Sequence, residues 1–151
     1  MNLNRSLTMA LIAHDSKKEA LADFAFEHRA ILRRFRLIAT RGTGTLIRKR
    51  TGLTFHLLEA GPLGGDRQLG ELAAQNEVQA AIFLRDPLST RPHEPDFTDL
   101  LRVCDLQEIP LATNLSTAEA LLYFLESSPN REVVTARPWG YAHSWGLSDG
   151  L

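Results

Sequence analysis

The chain has 151 residues, 17 Lys+Arg against 18 Asp+Glu, 44% hydrophobic and 23% charged residues. A length near 150 fits one domain, and a chain this size buries about two-thirds of the surface its unfolded form exposes, so it needs no metal or disulfide to fold. The net charge of −1 argues against a general nucleic-acid binder, the single Cys104 cannot form an internal disulfide, and no run approaches the roughly 18 apolar residues of a membrane span.

The apolar run Met9–Ala13 is too short for a signal-peptide core and no cleavage pattern follows it, so a cytoplasmic location is expected, with no membrane partner. The run ends abruptly at His14-Asp15, as a buried strand does at the rim of a sheet. Ser16-Lys17-Lys18-Glu19 then reads as a capping box ahead of a helix whose inner face uses Leu21, Phe24 and Ala25. Arg36–Thr40 is a second strand, and Gly42-Thr43-Gly44 leads into a short helix, Thr45–Arg50, stopped by Gly52. Thr54–Glu59 suggests a third strand, Gly61–Asp66 a loop, and Arg67–Ala74 a helix. Val78–Leu84 is the clearest buried strand, followed by the Pro-rich loop Asp86–Pro95. Asp96 can cap a helix that buries Leu100, Leu101 and Cys104. Ile109–Thr113 is a fifth strand, and Ser116-Thr117-Ala118-Glu119 a second capping box opening a helix through Phe124.

Alternation of this kind predicts an α/β fold, a three-layer sandwich with a mostly parallel five-stranded sheet and helices on both faces. Residues 1–126 make up that domain. The remainder, 127–151, holds Trp139, Tyr141 and Trp145 and is expected to form one short strand around Val133–Ala136 and then an irregular segment, packed on its own domain or on a neighbouring subunit.

In parallel sheets ligands lie beyond the carboxyl ends of the strands, and His14-Asp15, Thr40–Thr43, Gly61–Asp66, Asp86–Asp96 and Asn114 all follow strand ends. Thr40-Arg41-Gly42-Thr43-Gly44 lies between a strand and a helix, where N–H groups and the helix dipole favour an anion. It matches no Walker A or dinucleotide fingerprint, and a tight turn that needs glycine is the competing reading. Lys18 in a first helical turn opposes the dipole, which an anionic ligand would compensate, unless it is a solvated surface lysine. Asp66 is by default an N-cap, yet after Gly64-Gly65 its carboxylate could be aimed into the rim as a general base. His93 and Asp96 are either a surface imidazole and a cap or a second functional pair. No Cys pair or H-x-x-x-H accompanies them, so zinc is the poorer reading. Asp15 and Asp86 could serve as internal ion-pair or hydrogen-bond anchors. No G-x-S-x-G is present, and Cys104 falls on a core helix face, so nucleophilic catalysis has little support.

Taken together, Ala13-His14-Asp15 with Lys18, Ala39-Thr40 with Thr43-Gly44, Gly61-Pro62-Leu63-Gly64-Gly65-Asp66, Asp86-Pro87-Leu88 with Pro92-His93 and Asp96, and Ala112-Thr113-Asn114 resemble the methylglyoxal synthase family over about residues 8–125. The resemblance implies an allosteric homohexamer that converts dihydroxyacetone phosphate to methylglyoxal and inorganic phosphate without metal or organic cofactor; inorganic phosphate is expected to inhibit, because it competes for the same N–H cradle. It further implies Asp66 as catalytic base, His93 as substrate-binding histidine and Asp96 as its supporting carboxylate. His14, Lys18, Thr40, Arg41, Gly42, Thr43, Ala60 and Gly61 match the positions that hold substrate, chiefly its phosphate. The family's T-G-T-T-G-like loop is here Thr40-Arg41-Gly42-Thr43-Gly44, one threonine hydroxyl fewer and one arginine more, so retained chemistry with altered phosphate affinity is expected. Position 60 is Ala where serine occurs in the family, which leaves only the backbone for contact there. The alternative is a regulatory domain of related build that binds a phosphate-containing effector without chemistry; such a domain would have no reason to keep Asp66, His93 and Asp96 together.

Overall fold

Five apolar segments, each too short for a stable helix and flanked by polar residues, form the centre of the molecule. The computed structural model describes residues 7–60, 64–89 and 98–127. The expected strand near Val133–Ala136, and Gly61, His93 and Asp96 among the candidate site residues, lie outside the described residues. The strands are β1 (Thr8–Ala13), β2 (Arg36–Thr40), β3 (Phe55–Leu58), β4 (Ala80–Leu84) and β5 (Leu111–Ala112). They pair in the order β3-β2-β1-β4-β5, and every ladder is parallel. Between them run α1 (Lys18–Glu27), α2 (Arg29–Leu32), α3 (Arg41–Thr51), α4 (Gly65–Ala74), α5 (Thr98–Gln107) and α6 (Leu115–Ser127).

All six residues of β1 are buried, because both faces of the sheet are covered. Alternate side chains feed two separate cores. Met9, Leu11 and Ala13 join Leu37, Ile82 and Leu84 against Leu21 and Phe24 of α1, Ile47 of α3 and Leu122 of α6. Ala10 and Ile12 join Ile38 and Phe83 against Leu69 of α4 and Leu100 and Cys104 of α5. Leu11, Ile12, Ile82 and Phe83 are at most 1% exposed, and each such side chain contributes about 1.5–3 kcal/mol. This is the three-layer α/β sandwich that the alternation predicts, with the sheet parallel throughout its described strands. No helix among the described residues is long and apolar enough to cross a membrane.

Several local expectations are corrected. The helix after β2 starts at Arg41, not Thr45, so Gly42-Thr43-Gly44 is its first turn and not a loop. Gly44 is there because α3 lies close to the sheet: a Cβ at this position would stand 2.3 Å from Leu57 Cδ2 and 3.1 Å from Ala39 Cβ. The same helix ends as expected at Gly52, which adopts φ 75 and donates its N–H to the Arg48 carbonyl at 2.8 Å. Ser16 does not cap α1; a 3-10 turn (Asp15–Lys17) intervenes, Lys17 holds the cap position, and no side chain caps it. At α6 the cap is Asn114 rather than Ser116, its Oδ1 accepting the Thr117 N–H at 3.0 Å. Asp66 is not an N-cap either: Gly64, at φ 108, takes that position, and Asp66 is the second residue of α4. The strands over Thr54–Glu59, Val78–Leu84 and Ile109–Thr113 are each shorter than the apolar runs suggest, and α2 is an additional turn of helix.

Candidate active site

The order β3-β2-β1-β4-β5 reverses direction between β1 and β4. That is the switch point, where the chain leaves the two strands in opposite senses and a crevice opens beyond their carboxyl ends. His14 follows β1 directly, and its N–H donates to the Leu84 carbonyl at 3.1 Å. Across the crevice the Asp86 N–H donates to His14 Nδ1 at 2.9 Å, and Phe83 meets the imidazole edge-on, ring centroids 5.2 Å apart. Asp86 itself accepts the Ser16 hydroxyl at 2.6 Å and the Leu88 N–H at 2.9 Å. These hydrogen bonds, Ser16 first, hold its carboxyl below the usual 3.8; the Lys17 charge adds to the effect, against a smaller opposing effect of burial. Asp86 thus anchors the rim internally, as expected of it.

Beside His14, the first turn of α3 stands at the end of β2. Thr40 holds the cap position in extended conformation and makes no side-chain capping bond, and the first turn contains no acidic residue. The helix therefore presents its positive end with no side chain of its own to neutralise it. Lys18 adds to that field. Its ammonium packs over the first turn, so that a Cβ on Gly42 would lie 2.9 Å from Nζ. Asp15 pairs with the same ammonium at 3.0 Å and holds it in place. Thr43 is 1% exposed, and its hydroxyl has no hydrogen-bond partner among the described residues. A buried hydroxyl in that condition costs about 1–3 kcal/mol.

The third part of the rim is the start of α4. The Gly65 N–H donates to the Ala60 carbonyl at 3.1 Å, and Gln68 Oε1 accepts the Glu59 N–H at 2.8 Å, so the first helical turn is tied to the exit of β3 from both sides. Gly65 allows this approach, since a Cβ would stand 2.1 Å from the Glu59 oxygen and 3.0 Å from Thr40 Cγ2. The main chain of Asp66 thereby comes next to the end of β2 and the α3 turn.

The fold thus gathers His14, Lys18, Thr40, Arg41, Gly42, Thr43, Ala60 and the main chain of Asp66 on one rim. Arg41 and Gly42 are exposed, whereas Thr40 and Thr43 are buried. Ser16 is a rim residue that the sequence reading assigned elsewhere. Ser-x-x-Glu is the pattern of a cap, and nothing in it signals a partner 70 residues away. Cys104, by contrast, is buried on the core face as expected, and burial, then the Asp105 charge, push its thiol up to about 12.

Fold and rim together define a doubly wound parallel α/β domain with a polar rim, carrying Lys18 and an uncapped helix N-terminus, at its switch point. The family model described as MGS-like domain matches residues 20–113. The chain is 50% identical over 127 residues to a methylglyoxal synthase of Moorella thermoacetica, covering 83% of this chain and 99% of that protein. It is 52% identical over 120 residues to a methylglyoxal synthase of a Thermoanaerobacter species, covering 80% of this chain and 91% of that protein. The crystal structure of methylglyoxal synthase from Elizabethkingia anophelis superposes with a TM-score of 0.76 at 39% identity, covering 82% of this chain and 79% of that one. The chain belongs to the methylglyoxal synthase family, a family of lyases.

Proposed function

We propose that this chain converts dihydroxyacetone phosphate to methylglyoxal and inorganic phosphate, with the phosphate bound at the first turn of α3. The observation that carries the reading is the conjunction at that turn: an uncompensated helix N-terminus, the Lys18 ammonium packed over Gly42, and a buried Thr43 hydroxyl with no described partner. A phosphate satisfies all three at once, because its oxygens accept from the N–H groups and the hydroxyl and its charge answers the lysine and the dipole.

With the phosphate held there, Asp66 takes a proton from C3. The C–H electron pair becomes the C2–C3 double bond and charge moves to the C2 oxygen, which hydrogen-bond donors on the rim stabilise, His93 foremost. Each such donor is worth about 3 kcal/mol at the transition state. The C3 hydroxyl then gives up its proton and its oxygen pair becomes the C3 carbonyl, the C2–C3 π pair becomes a C1–C2 double bond, and the C1–O bond breaks with its electron pair leaving on phosphate. The remaining enol takes up a proton at C1 and becomes methylglyoxal. Reprotonation of the enediolate competes, and geometry decides between the two outcomes: elimination needs the C1–O bond perpendicular to the enediolate plane, so a phosphate pinned out of that plane favours loss. Asp96 supports His93. By the same reading inorganic phosphate inhibits by competing for the α3 turn, the working assembly is a homohexamer, and the reaction needs no metal or organic cofactor.

The test is to incubate purified protein with dihydroxyacetone phosphate and measure dicarbonyl and released phosphate together. Equal yields are expected, with turnover in Asp66→Asn lower by about 10²–10⁴-fold and phosphate binding retained. Binding without turnover in the unmodified chain would instead establish the regulatory-domain alternative.

A further inference from the structure

Ser16 and Asp86 join the turn after β1 to the turn after β4, the two strands that flank the switch point. The Ser16 hydroxyl occupies Asp86 Oδ2 and the Leu88 N–H occupies Oδ1, so both carboxylate oxygens are used to hold the β4 turn. That turn carries the Asp86 N–H, which donates to His14 Nδ1 at 2.9 Å. A ring nitrogen that accepts from an amide has its lone pair exposed and no hydrogen, so the proton of the neutral imidazole resides on Nε2. Phe83, edge-on at an interplanar angle of 86°, restrains the ring plane. The other charged groups of this corner are Asp15, Lys17 and Lys18 on the β1 side and Arg85 beside Asp86 on the β4 side. Lys18 is engaged by Asp15.

We propose that the Ser16–Asp86 pair is a positioning device that fixes His14 in a single neutral form, offering substrate an uncharged Nε2–H donor. The inference rests on the reading above only in taking His14 to touch substrate; the tautomer is a property of the ligand-free protein. The chemical advantage is specific to elimination. A neutral imidazole is a far weaker acid than imidazolium, so it donates a hydrogen bond to an oxygen without surrendering a proton to the enediolate, the event that would divert it from phosphate loss.

The test is a two-bond 1H–15N correlation spectrum of the uniformly labelled full chain at neutral pH, with the His14 signals identified by their disappearance in His14→Gln. Nδ1 is expected among unprotonated nitrogens and Nε2 among protonated ones. In Ser16→Ala the two His14 nitrogens should draw together as tautomers mix. KM for dihydroxyacetone phosphate should rise about fivefold, the equivalent of one neutral hydrogen bond, with kcat little changed. Ser16→Thr, which keeps the hydroxyl, should restore both readings, and Asp86→Asn, which keeps the shape but loses one acceptor oxygen, should follow Ser16→Ala. A wild-type spectrum with the proton on Nδ1, or a Ser16→Ala spectrum with unmoved His14 nitrogens, overturns the proposal. The expected spectra in a chain that fails to turn over dihydroxyacetone phosphate would retain the device and refute the assigned reaction instead.

Discussion

Replacing Gly65 by alanine should damage catalysis far more than folding. The ideal Cβ would stand 2.1 Å from the Glu59 carbonyl oxygen, 3.0 Å from the carbon of that carbonyl and 3.0 Å from Thr40 Cγ2. Carbon and oxygen tolerate about 3.3 Å, so the start of α4 and the exit of β3 must separate by about 1 Å. Neither can yield alone, because Gly65–Ala60 and Gln68–Glu59 hydrogen bonds tie them together. Overpacking of this order costs about 1–3 kcal/mol. Asp66, the proposed base, is the next residue, and moving a reacting group by 1 Å costs about 10²-fold in rate. Gly70, further along the same helix, has nothing within 4 Å of its would-be Cβ, so Gly70→Ala should gain about 0.5–1 kcal/mol from helix propensity and leave kcat unchanged. Initial rates of methylglyoxal formation and urea unfolding of both variants decide the matter. A Gly65→Ala enzyme with wild-type kcat would refute the placement of the base at this turn.

Thr43→Val keeps the shape of the side chain and removes a buried hydroxyl that has no described partner; thermal unfolding should show equal or higher stability, by up to about 1–3 kcal/mol, while calorimetry shows weaker phosphate binding. The lowered pKa of Asp86 means that its stabilisation is complete above the ordinary value of 3.8 and disappears as pH falls through the lower folded value. Asp86→Asn should therefore show a flatter dependence of urea midpoint on pH in the acid range than the wild type. Cys104 works in the opposite sense: its thiol is raised from 9.0 to about 12, so the folded state loses stability as pH climbs from 9 towards 12. At pH 8 a thiol reagent should modify it only at the rate of unfolding, and rapid modification of native protein would contradict its burial.

What could be read from the residues followed from burial on two faces. Met9–Ala13, Leu37–Ala39 and Ala80–Leu84 are apolar whichever way their side chains point, as strands of a covered parallel sheet must be. The rim was legible for the same reason, because polar residues gather where each apolar run stops. What could not be read depended on distance in three dimensions. Gly42 and Gly44 look like a turn in sequence, yet Gly44 is required by Leu57 and Ala39, which reach it only once α3 lies on the sheet. Ser16 satisfies the local grammar of a cap and spends its hydroxyl on Asp86 instead, since a carboxylate is the stronger acceptor. Asp66 lost the cap position to Gly64, whose φ of 108 suits glycine and no other residue.

The position of β4 has a consequence for the order in which the protein matures. β1 to β3 are consecutive along the chain and can associate as synthesis proceeds, but β4 must insert beside β1, completing contacts such as His14–Asp86 across 72 residues. Closing so distant a contact is a late and entropically costly event. A nascent chain halted before β4 would hold the α3 turn and Lys18 but only half of the crevice, so capacity to retain an anion should arise earlier than capacity to orient a substrate, and competence becomes a report that the strand pairing most distant in sequence has been made.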